Sequence, residues 1–86
     1  MPQGFHIKVE TRDEGWHPSE AMVTFTDAQG AKQCVFLNKG SVSSDMAIPV
    51  TPVERGEDGA VLVQLPREAM SGAWRVWMPE TALLST

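Results

Sequence analysis

Long apolar runs are missing from this chain of 86 residues, none of them approaching the roughly 18 residues that a membrane-spanning helix needs. The opening Met1-Pro2-Gln3-Gly4-Phe5-His6 has no charged segment leading into an apolar one, which is the mark of a secretory leader. Cysteine is nearly absent too. Cys34 stands alone, so no intramolecular disulfide can form and a disulfide-stapled secreted scaffold is excluded. Basic charge is scarce, with seven Lys and Arg against eleven Asp and Glu and a net charge of −4. The seven are scattered singly, whereas nucleic-acid binders concentrate cations to displace counterions from phosphates. These absences lead us to expect a soluble cytoplasmic protein for which nucleic acid is a disfavoured partner. Helical periodicity is also lacking: nowhere does an i, i+3, i+4 apolar pattern last ten residues, so no long helix is expected.

What is present is the composition of a folded chain, 42% apolar and 21% charged. At this length we expect one domain over residues 1–86, burying only roughly 60–65% of its unfolded surface. Alternation is the dominant pattern. Phe5, Ile7 and Val9 alternate with polar residues, as do Ala21, Val23 and Phe25 within residues 20–26, and both segments read as half-buried strands. Between them residues 11–19, rich in charge and containing Gly15 and Pro18, read as a loop. Asp27-Ala28-Gln29-Gly30 reads as a hairpin turn into a third strand over residues 31–37. A short strand over 45–50 follows, its Pro49 and the nearby Pro52 pointing to an edge or a corner. Asp58-Gly59 is a second hairpin signal.

The last third of the chain is apolar on both faces. In Trp74-Arg75-Val76-Trp77-Met78, a two-residue period sends Trp74, Val76 and Met78 to one side and Arg75 and Trp77 to the other. The preceding run places Val61, Val63 and Leu65 on one side and Leu62 beside Gln64 on the other. Trp74 is expected in the core, together with Ile7, Val23 and Phe25. Trp77 then needs a cover, for which Leu83, Leu84 and Leu62 are the obvious candidates. Pro79-Glu80 suits the start of a single helical turn.

Six short strands with turns about every ten residues indicate an all-β fold, either a small barrel or a compact two-sheet sandwich with a one-turn C-terminal helix. In strand number, size and terminal turn the chain resembles an SH3-like barrel. That resemblance is architectural, because neither the aromatic and acidic signature of peptide-binding SH3 domains nor the glycine-centred motif of ribosomal barrels is present.

No catalytic signature, cofactor motif or obvious small-molecule substrate emerges. Cys34 lies in an apolar strand beside Val35 and Phe36 and reads as a buried structural thiol. His6, His17, Asp13 and Glu14 lack the spacing of a metal site. The residues that suggest recognition are Asp13, Glu14, Trp16 and His17, an aromatic shelf beside carboxylates suited to a basic or proline-containing peptide. Trp16 can instead fold back to cap the barrel. Arg75 and Trp77 are the second group, being residue types enriched at binding hot spots. The expected function is a non-enzymatic module for a protein partner or for a homodimer. A nucleic-acid-associated barrel is the alternative, and a small accessory subunit of an enzyme complex the third reading.

Overall fold

The computed structural model describes residues 5–85, so the reading of the first four residues lies outside the described part. The chain is all-β, in two antiparallel sheets. Its strands are β1 (Phe5–Lys8), β2 (Thr11–Glu14), β3 (Glu20–Thr26), β4 (Lys32–Asn38), β5 (Ala47–Arg55), β6 (Ala60–Gln64), β7 (Arg75–Pro79) and β8 (Leu83–Ser85). One sheet runs β7-β6-β5-β1-β8 and the other β2-β3-β4, and the two do not close into a single barrel. Short 3-10 turns occupy Lys39–Ser41 and Glu80–Ala82.

The alternation of the sequence builds one apolar layer between the sheets. From the five-stranded sheet come Ile7, Ile48, Val50, Val61, Val63, Val76 and Met78, and they meet Ala21, Val23, Phe25, Val35 and Leu37 of the other sheet in one buried cluster. The shortest dimension of the molecule, 18 Å, suits two sheets packed about 10 Å apart with side chains outside them. The first two strands form nearly one run that changes sheets. β1 pairs with β5 and β8, Val9 N–H donates to the Met46 carbonyl, Glu10 N–H donates to the Thr24 carbonyl, and β2 pairs with β3.

Residues 11–14, expected as loop, are therefore an edge strand. All four side chains are exposed, and the strand exists because β3 supplies its ladder rather than because of any apolar pattern. Its charged residues suit an edge that must not recruit stray strands. The expected terminal helical turn is the 3-10 turn Glu80–Ala82, and the chain then continues as β8 against β1. These two additions make eight strands among the described residues where six are expected. β5 is not an edge of its sheet, yet it does turn a corner. Residues 47–50 pair with β1, residues 51–55 pair with β6, and the register shifts between Pro52 and Glu54.

Trp74 departs from expectation. Its carbonyl accepts a hydrogen bond from Leu65 N–H at 2.8 Å, but β7 begins at Arg75 and the ring is 53% exposed. The connection from β6 to β7 folds inward instead, with Ala69 and Leu65 buried at that end of the core. Cys34 also differs. It faces outward from β4, between the buried Gln33 and Val35, and is only half-buried.

Two hairpins fix the opposite end. Asp27 begins the β3–β4 turn, where its carboxylate accepts from Gln29 N–H and Ala31 N–H, each at 2.9 Å, and from Gln33 Nε2 at 3.0 Å. Ser71 Oγ donates to Gln33 Oε1 at 2.8 Å, tying the β6–β7 connection to the same network. Burial pushes the Asp27 carboxyl up, but the hydrogen bonds from Gln33, Ala31 and Gln29 outweigh it and hold the group below its usual value. The β5–β6 hairpin turns at Asp58 and Gly59, both in the left-handed region, with Ala60 N–H donating to the Glu57 carbonyl.

Phe25→Ala will cost about 3–5 kcal/mol in chemical denaturation, whereas Trp74→Ala, at a half-exposed rim, will cost under about 1.5 kcal/mol. Asp27 has a native pKa below its unfolded one, so its contribution is complete above the unfolded value and is lost as pH falls through the native value. Stability measured down an acid series should therefore fall less steeply in Asp27→Asn than in the parent.

Candidate functional site

The tightest gathering of recognition residues is on the outer face of the three-stranded sheet. Cross-strand register places Asp13, Met22 and Phe36 in one row, and Thr11, Thr24 and Cys34 in the next. At the end of β2 the chain reverses through residues 15–19, with Gly15 N–H donating to the Glu20 carbonyl and Glu20 N–H to the His17 carbonyl. A side chain at position 15 would meet Glu20 Cβ at 2.7 Å, so this approach needs glycine. The turn brings Trp16 over the outer face beside Phe36, their ring centroids 6.4 Å apart and their planes 31° apart.

Trp16 does not cap an open end of the core. It is 89% exposed, an aromatic shelf resting on the sheet's outer side. Trp16, Phe36, Met22, Gly15 and Glu14 line a shallow groove of about 230 Å³. Glu14 is held only loosely, its Oε1 lying 3.7 Å from Lys39 Nζ. The His17 ring is tied within the turn, with Nδ1 3.0 Å from Ser19 Oγ. Asp13, Glu14, Trp16 and His17 therefore fall in one region. Sequence reasoning missed Phe36 as their partner, although the alternation of β4 about buried Val35 and Leu37 already points it outward.

Arg75 and Trp77 belong elsewhere, on the outer face of the five-stranded sheet. Leu62 pairs with Trp77 and Gln64 with Arg75, and Arg75 Nε donates to Gln64 Oε1 at 3.3 Å. Leu83 and Leu84 do not cover Trp77, because β8 carries them to β1 at the other side of the sheet. The indole lies against Gly56, where a Cβ would come within 2.4 Å of the ring, and its own carbonyl accepts from Ala28 N–H at 2.7 Å. The two hairpin turns thus meet at Trp77 and leave the residue half-buried.

The remaining chemistry is sparse. Burial raises the Cys34 pKa and keeps the thiol protonated at neutral pH, which makes it a poor nucleophile. His6 lies on β1 and His17 in the β2–β3 turn, and among the described residues no group of three or more His, Cys, Asp or Glu is placed to hold a metal ion. Among the same residues no helix is long and apolar enough to cross a membrane. Glu10 is held below its usual pKa by hydrogen bonds from Lys32 and Thr26, which join the sheet-changing stretch to β3 and β4. Ion pairs also link Arg55 with Glu80 and Arg67 with Glu20. With Lys32 and Lys39, four of the seven basic residues lie beside carboxylates.

The seating of Trp77 on glycine is directly testable. Gly56→Ala should force the ring outward, red-shift the emission of a chain whose sole tryptophan is Trp77, and cost about 1–3 kcal/mol. An unchanged emission maximum would show that the indole does not rest there. Comparison with known proteins gives no matching family model, no matching curated sequence and no matching solved structure.

Proposed function

We propose that the chain is a non-enzymatic protein-interaction module whose contact surface is the shelf of Trp16, Phe36 and Met22. One observation carries this reading: a tryptophan ring that could hide a large apolar area is left 89% exposed, beside a second aromatic on a flat sheet face. Removing such area from water contributes roughly 25 cal/mol per Å², and Trp is the residue type most enriched where binding energy concentrates. Asp13 and Glu14 border the shelf, so the partner chemistry is a segment bearing proline or a basic side chain, either of which seats well on an indole face. His17 sits at the tip of the same turn as an exposed polar contact. The finer likeness to an SH3-like barrel belongs to this reading, with a partner segment lying across one outer sheet face.

A second copy of the chain is the other occupant to consider. A homodimer would use either this shelf or the outer face around Trp77 and Leu62. The nucleic-acid alternative gains nothing from the distribution of cations, since most are already paired with carboxylates.

Selection of a displayed random-peptide library on the parent, counter-screened on Trp16→Ala, tests the proposal. The expected result is a family of peptides rich in proline or arginine and lysine that bind the parent and lose about tenfold or more in affinity on Trp16→Ala, while the variant keeps the parent's denaturation midpoint. Peptides that bind both proteins equally would remove Trp16 from the contact surface. A concentration-dependent dimer of the parent that Trp16→Ala abolishes would assign the shelf to a second copy.

A further inference from the structure

The groove at Trp77 is larger than the shelf groove, at about 510 Å³, and it is a different place in the fold. Trp77 and Ala60 form its floor, the β3–β4 turn at Ala28 and Gln29 one wall, and the β5–β6 turn at Glu57 and Asp58 the other. Its walls come from different sheets and are fixed. Asp27 holds the first turn through two backbone N–H groups and the Gln33 amide, and the bonds Gly56 N–H to Ala60 carbonyl and Ala60 N–H to Glu57 carbonyl close the second. The Ala28 N–H bond to the Trp77 carbonyl fixes the first turn against the floor.

The charge of this groove has one sign. Glu57 and Asp58 are exposed, and the ion pairs among the described residues engage Glu10, Glu14, Glu20 and Glu80, leaving these two without a partner. Among the described residues no basic side chain lines the groove. A half-buried indole next to two unpaired carboxylates is complementary to a flat cation with an apolar stem. The arginine side chain has that form, because its guanidinium stacks on an aromatic face while its N–H groups reach a carboxylate, and its methylenes can lie along alanine. We infer that this groove docks an arginine side chain of a protein partner, the guanidinium against Trp77 and directed toward Glu57 and Asp58. The inference is independent of the Trp16 shelf, since none of the residues it rests on belongs to that shelf.

The test uses the intact chain labelled with ¹⁵N and a short blocked peptide, acetyl-Gly-Arg-Gly-amide, against its uncharged isostere with citrulline in place of arginine. The three indole N–H signals, assigned by Trp→Phe substitution, report Trp16, Trp74 and Trp77 separately. The arginine peptide should shift the Trp77 signal in a saturable way, and the citrulline peptide should bind about tenfold or more weakly. Asp58→Asn, chosen because asparagine tolerates the left-handed backbone at that position, should weaken the arginine peptide by a similar factor, and Glu57→Gln should do likewise. An unmoved Trp77 signal, equal shifts from the two peptides, or undiminished binding by both variants would each overturn the inference. Shifts confined to Trp16 would overturn it too, while assigning arginine to the shelf.

Discussion

The apolar contact between the inner faces of the two sheets is the constraint from which the rest of the structure follows. Ile7, Ile48 and Val63 press from one side and Val23, Phe25, Val35 and Leu37 from the other, all fully or almost fully buried. A chain this short encloses one such layer and no more. It places every large side chain that points the other way on an outer face, where it must be covered locally or remain in water. The three tryptophans show the three outcomes. Trp77 is covered by a turn, Trp74 is left half-exposed at the rim, and Trp16 rests on Phe36 with most of its surface free.

The sheets are joined without a closed ladder. At one side the run through Val9 and Glu10 carries the chain from the first sheet into the second. At the other, single backbone bonds do the joining: Ala28 N–H to the Trp77 carbonyl and Met70 N–H to the Cys34 carbonyl, each 2.7 to 2.8 Å long. The Asp27, Gln33 and Ser71 network reinforces that side with buried polar groups whose hydrogen bonds are made, which is what their burial demands. Rigid turns at this end are therefore a consequence of how the open side of the sandwich is tied together.

Much of this was legible in the sequence, because period-two alternation is a direct image of a one-sided core. Residues 20–26 alternate as a strand with the right inward face, Asp27 to Gly30 and Asp58-Gly59 signal turns, and Leu62 falls beside Trp77. What escaped had non-local causes. Thr11-Arg12-Asp13-Glu14 carries no apolar signal, so only the pairing offered by β3 makes it a strand. Trp74 obeys the alternation, yet the inward fold around Ala69 fills that end of the core first. The cover of Trp77 depends on Gly56, a residue that reads as part of a turn until the hairpin is folded back on the sheet. Likewise, Trp16 and Phe36 are 20 positions apart in the chain, and only the β2–β3–β4 register brings them together.

The tryptophans divide into one free, one partly sheltered and one seated. Acrylamide quenching of three chains, each retaining a single tryptophan with the other two changed to phenylalanine, measures that division directly. The structure predicts quenching constants that fall in the order Trp16, Trp74, Trp77, with Trp16 close to a fully solvated indole. A Trp16 as protected as Trp77 would contradict it, because the exposed shelf on which the functional reading rests would not exist.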